Sequence, residues 1–175
     1  MKARAMTAGL VLACANVACT PALDWREVRP EAAGLVAWFP CKPLGHARQL
    51  RLVGATVEMS LFACSAADTT YAVAFADIAQ PQLVGQALDE FAAAAARNIG
   101  AVQAPVITPL RIQGMTPNPS ARRESFKGQL SDGRRVQEEV AVFARGTRVF
   151  QATMVGKKLD VEAVETFFGA LRLAT

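Results

Sequence analysis

His46 is the single histidine of this chain, so any serine–histidine–aspartate, cysteine–histidine or multi-histidine metal arrangement would have to be built around it. It follows Gly45 in a stretch that reads as a loop, and the reading is an ordinary loop residue, with no metal site or cofactor expected. Cys41 precedes it closely enough for a nucleophilic cysteine–histidine pair. The competing reading joins Cys41, in Phe39-Pro40-Cys41-Lys42-Pro43, to Cys64, in Phe62-Ala63-Cys64-Ser65, as a disulfide; two buried free thiols are the remaining alternative. The spacing is not Cys-x-x-Cys, which argues against a redox-active pair.

Two other groups carry charge at close spacing. Glu138 and Glu139 are neighbours on an expected strand, hence on opposite faces, and read as surface charges that cannot act together. Arg122, Arg123, Lys127, Arg134 and Arg135 crowd around Asp132-Gly133, with Arg145 and Arg148 at the next turn. They read either as a basic rim for anionic lipid or glycan headgroups, or as charges that solvate strands and discourage edge pairing. Trp25 and Trp38 flank an early strand; Trp25 reads as a lid on the core.

The compartment follows from the first residues. Lys2 and Arg4 precede an uncharged apolar run from Ala5 to Ala18, then Cys19, Thr20 and Pro21, the pattern of an export signal. Cleavage before Cys19 discards Cys14, makes Cys19 the new N-terminus and leaves Cys41 and Cys64 as an even pair; Cys19 with Ala18 before it resembles the lipid-attachment site of bacterial lipoproteins, which implies a membrane-anchored envelope protein facing the periplasm. Cleavage before Cys14, where Val11-Leu12-Ala13-Cys14 is the more apolar processing site, or after Ala15 leaves Cys19 as an unpaired exported thiol; a soluble periplasmic or secreted protein is the alternative to lipidation. The domain plan is therefore a signal over 1–18, a tether over 19–23 and one domain over 24–175. The signal holds two of the 19 basic residues and none of the 15 acidic ones, so the net charge falls from +4 to +2. So small a charge gives no electrostatic reason to bind nucleic acid.

The elements that must position these residues read as follows. An apolar run over Gly34–Phe39 is a first strand, stopped by Pro40. Arg48–Leu52 and Thr56–Ala63 form a hairpin about Gly54-Ala55, with Val57, Met59, Leu61 and Ala63 inward and the other face wet. Thr70–Ile78 is apolar at nearly every position, as in a strand covered on both sides. Pro81 opens a helix reaching about Asn98 with a stripe of Val84, Leu88, Phe91, Ala95 and Ile99. The proline-rich segment 101–119 is a loop or an irregular edge strand around Val106–Ile112. Strands over Ala121–Leu130, Arg134–Ala144 and Arg148–Val155 follow, and Asp160 caps a final helix with Val164, Phe167, Phe168 and Leu171 on one side. The order gives an α+β domain: an antiparallel sheet of about six to seven strands packed by two main helices.

Cys19-Thr20-Pro21, Asp24-Trp25-Arg26-Glu27-Val28, Phe39-Pro40-x-Lys42-Pro43, Tyr71-Ala72-Val73-Ala74 and Phe167-Phe168-x-x-Leu171-Arg172-Leu173 together resemble small proteobacterial envelope lipoproteins of uncharacterised function. The Phe-Pro-x-Lys-Pro strand end, the later hairpins and the closing Phe-Phe helix are also similar to the PsbP-like fold. That resemblance implies a non-enzymatic accessory or binding domain in the envelope, whose partner is an envelope protein or an anionic envelope component. The alternative is a small-ligand carrier or an enzyme with its site near residues 101–119; a thiol-redox protein is a third option.

Overall fold

A computed structural model describes residues 23–173. Seven strands make one antiparallel sheet, in the spatial order β3-β4-β5-β9-β8-β7-β6. They are β3 (Leu44–Leu52), β4 (Ala55–Ala66), β5 (Thr69–Asp77), β6 (Val106–Thr108), β7 (Arg122–Gln129), β8 (Arg135–Arg145) and β9 (Arg148–Gly156). A second sheet, β1-β2-β10, joins β1 (Arg26–Val28), β2 (Leu35–Phe39) and β10 (Arg172–Leu173). The helices are α1 (Val84–Asn98), entered through a 3-10 turn at Pro81–Leu83, and α2 (Val161–Gly169). The α+β class with two helices is as the sequence indicates. The early strand Gly34–Phe39 differs in that it belongs to the small sheet, between two short strands that have too few residues to show a period of their own.

The turns account for much of the meander. Val53 and Gly54 both have positive φ, 47° and 80°, and so do Ala67 and Asp68, 48° and 58°, which is the mirror-image turn whose twist suits antiparallel strands. Gly133 at φ 85° closes the Asp-Gly hairpin. Asp160 caps α2 by accepting from the Ala163 N–H at 2.9 Å. The β3–β4 hairpin is longer than its alternation predicts. His46 accordingly sits in β3 opposite Leu61 rather than in a loop, because Pro43 ends the preceding turn and backbone pairing carries the strand on from there.

Both faces of the main sheet are covered, unequally. Over one face lie α2 and β2, with Phe39, Tyr71, Phe143, Phe150, Phe167 and Leu173 in a continuous buried core. Phe167 packs edge-on against both Phe39 and Tyr71, at 5.6 and 5.5 Å between ring centroids. Phe62 and Cys64, on the face of β4 expected to be wet, pack into this core instead, and Phe62 stacks on Phe75 at 6.4 Å. Over the other face lies α1 alone, burying Leu88, Phe91, Ala92 and Ala95 against Ala76, Val140, Val142 and Val149. β5, β8 and β9 are thus buried from both sides, which is why β5 reads as continuously apolar. No described helix is long and apolar enough to cross a membrane.

Candidate functional site

A helix about 10 Å across covers roughly two strands spaced about 4.8 Å apart, so α1 cannot roof seven. It packs on β7, β8 and β9 and leaves the same face of β3, β4 and part of β5 open. A groove of about 580 Å³ results, walled by Leu50, Met59, Leu61 and Ala74 on one side and by Phe91 and Ala94 of α1 on the other. Glu90 fixes its width. One oxygen of that carboxylate accepts the Val53 N–H at 2.8 Å, clamping the β3–β4 turn to α1, and the other accepts from Gln86 at 3.1 Å. Ile99 and Leu130 close the end near the C-terminus of α1.

Glu138 lies at the floor. β8 presents Val136, Glu138, Val140 and Val142 toward α1 by simple alternation, and Glu138 is only 5 % exposed among them. Its Oε2 is the one buried side-chain polar atom without a hydrogen-bond partner among the described residues. Burial, with no compensating donor, pushes its pKa up to about 7. A carboxyl so placed is about half protonated at neutral pH, and in its protonated form it can both donate and accept a hydrogen bond. Thr153 and Gln151 share the floor, the Gln151 amide donating to the Thr153 hydroxyl at 3.1 Å. Arg48 on β3 and Arg97 in the last turn of α1 stand at the walls. Neither has an ion-pair partner among the described residues, whereas Arg122, Arg123, Arg134 and Arg148 all do.

The residues singled out from sequence fall elsewhere. Cys41 and Cys64 are joined in a disulfide, with Cα atoms 6.0 Å apart, so Cys41 is no nucleophile for His46. Glu138 and Glu139 do point to opposite faces, but neither is a surface charge. Glu139 is buried to about nine-tenths and accepts from Arg123 at 2.5 Å and Ser125 at 2.5 Å. The five basic residues do not converge. Arg122 faces α1 and binds Asp89 and Glu124, each at 2.6 Å; Arg123 faces α2, binds Glu139 and Glu165, and lies 4.7 Å over the Phe168 ring. These neighbours on β7 therefore hold the two helices to opposite sides of the sheet. Lys127 is exposed on the Arg123 face. Arg134 pairs with Asp132 in the hairpin turn beside Arg135. Arg145 at the far end of β8 and Arg148 opposite it at the start of β9 lie about 30 Å from Arg135, at 3.3 Å per residue. Arg148 is bound there to Asp77 at 2.6 Å, and its guanidinium holds the Asp77 carboxyl below its ordinary range.

Residues 101–119 include the short edge strand β6 and a shallow depression lined by Leu110, Ile112, Met115 and prolines. Arg111 is its one charged lining residue. Trp25 packs edge-on against Tyr71 at 5.7 Å, and Trp38 is 40 % exposed. Cys14 and Cys19 lie outside the described residues. Among the described residues, no group of three His, Cys, Asp or Glu side chains is placed to hold a metal ion. The sequence reading takes Glu138 for a surface charge and misses both its burial and the groove. The available signal was a charge set inside the apolar stripe Val136, Val140, Val142, opposite a hairpin whose apolar face has no helix assigned to it. No family model matches this chain, and no curated protein matches its sequence.

Proposed function

We propose that this chain is an exported, non-catalytic binding domain, held in the envelope through a lipid at Cys19, that carries a small molecule in the groove between α1 and β3–β5. The buried, unpartnered carboxyl of Glu138 on the groove floor carries this reading. An orphaned polar atom in an apolar interior costs about 1–3 kcal/mol, and a ligand group that bonds to it recovers that cost. The groove's volume suits a small ligand, with apolar walls and a few polar groups to orient it. The disulfide supports an oxidising compartment, and the leader supports export. The carrier reading placed its site near residues 101–119; the groove offers the convergent polar groups that the depression there does not.

The test is native mass spectrometry of protein isolated from its own host's envelope in mild detergent. The wild type is expected to carry a small-molecule adduct that Ala94→Trp, which fills the groove from α1, does not. A wild type that is adduct-free after mild isolation, or an adduct equally present in Ala94→Trp, overturns the proposal.

A second reading, docking of an envelope protein along β6, is favoured by Val106 and Ile107, which are 67 % and 60 % exposed on the unpaired edge of the sheet. A photocrosslinking residue at Val106 is expected to capture a protein partner in vivo under this reading, and a residue at Glu58 to capture none. Equal capture at both positions counts against it.

A further inference from the structure

We infer that the groove takes a single-chain amphiphile with an anionic head and a hydroxyl on its chain, the hydroxyl bonding to Glu138 and the head to Arg48 and Arg97. This rests on the small-ligand reading above and specifies its chemistry. Three independent features select the class. Leu50, Met59, Leu61 and Phe91 make most of the wall apolar, so the body of the ligand is hydrocarbon. Glu138 Oε2 lacks a donor, and a neutral hydroxyl supplies one without bringing in a second charge. An ammonium group would also donate, but it would enter beside Arg48, Arg51 and Arg97. Those arginines outnumber the one engaged carboxylate, Glu90, and Arg48 and Arg97 have no ion pair of their own among the described residues. A carboxylate or phosphate is their complement. The groove is also too small for a two-chain lipid to bury both tails.

A free hydroxy fatty acid and a lysophospholipid share this chemistry. Calorimetric titration of the disulfide-intact mature domain with 3-hydroxydodecanoate, dodecanoate, 1,3-dodecanediol and 1-lauroyl-lysophosphatidate, each below its micelle concentration, separates the contributions. The wild type is expected to bind 3-hydroxydodecanoate about tenfold tighter than dodecanoate, the value of one hydrogen bond to a buried group. Glu138→Leu, which fills the site with an apolar group of similar size, is expected to erase that preference while still binding dodecanoate. The double variant Arg48→Gln/Arg97→Gln is expected to weaken both acids about tenfold or more and to leave the diol unchanged. Tighter binding of either the hydroxy acid or the lysophosphatidate supports the class and names its source.

Retention of the hydroxyl preference in Glu138→Leu, or undiminished binding of the acids by the arginine double variant, overturns the inference. Failure of all four probes to bind the wild type overturns it too. If the native adduct is nonetheless present and lost in Ala94→Trp, the small-ligand reading survives and only the assigned chemistry falls. Thermal melts by circular dichroism show that each variant is folded, and Glu138→Leu is expected to melt no lower than the wild type because it removes a buried unpaired polar group.

Discussion

At Glu138 the folded protein holds a proton that the unfolded chain gives up. Its carboxyl ionises near 4.5 when exposed and near 7 when buried, so between those values the folded state binds the extra proton. Stability from this residue is full below the lower value and is lost as pH rises to the upper one, by roughly 3 kcal/mol in all. Glu138→Gln has no such titration. The variant is expected to match the wild type in urea unfolding at pH 4 and to exceed it by up to about 3 kcal/mol at pH 8. Arg48, Arg51, Glu90 and Arg97 line the same groove in both proteins and cancel in the difference. Parallel curves from pH 4 to 8 would show that Glu138 is solvated. The opposed faces of Glu138 and Glu139 are legible in the sequence because side chains alternate along any strand. Burial is not legible there, since it depends on where α1 lies across the sheet, and that is decided by α1's alanines meeting β8 and β9 rather than by anything near position 138.

At the scale of elements, two joints hold the groove and its supporting layer in place. The end of α1 meets β7 so closely that a Cβ on Gly128 would fall inside the Ile99 carbonyl, which itself accepts the Gln129 N–H at 2.7 Å. Gly128→Ala must push the C-terminal end of α1 off the sheet, at about 2–3 kcal/mol. A lowered midpoint in urea and early hydrogen exchange at the Gln129 amide are the expected signs; wild-type exchange there would mean that the contact is loose. The second joint is Cys41–Cys64, which ties the end of β2 to β4, and so the small sheet to the large one. Its 23-residue separation is worth about 3 kcal/mol on the chain-entropy account. Cys41→Ala/Cys64→Ala is expected to lose that amount, and reduction should bring the wild type down to the same midpoint while leaving the variant unmoved. The strands and helices themselves were readable because alternation and the 3.6-residue stripe are local. Gly128 and the staples at Arg122 and Arg123 were not, because each depends on a helix far along the chain.

Across the whole molecule, the two faces of the main sheet are filled unequally. The face under α2 and β2 is filled with interlocking aromatic rings, and the face under α1 is filled only halfway, so the unfilled half is free to hold something else. The N-terminal segment joins the filled side, where Leu23 and Trp25 pack against the core around Tyr71. Leu23 and Trp25 line no part of the groove, so under the proposed function anchoring through Cys19 and ligand binding share no described residue and are expected to be independent. Cys19→Ala is expected to move the protein from the membrane to the soluble envelope fraction, while its melting midpoint and its affinity for 3-hydroxydodecanoate stay as in the delipidated wild type. If Cys19→Ala stays with the membrane, the attachment lies elsewhere. If it is released but binds the ligand more weakly, the two faces of the sheet are coupled and the separation of roles argued from their packing is wrong.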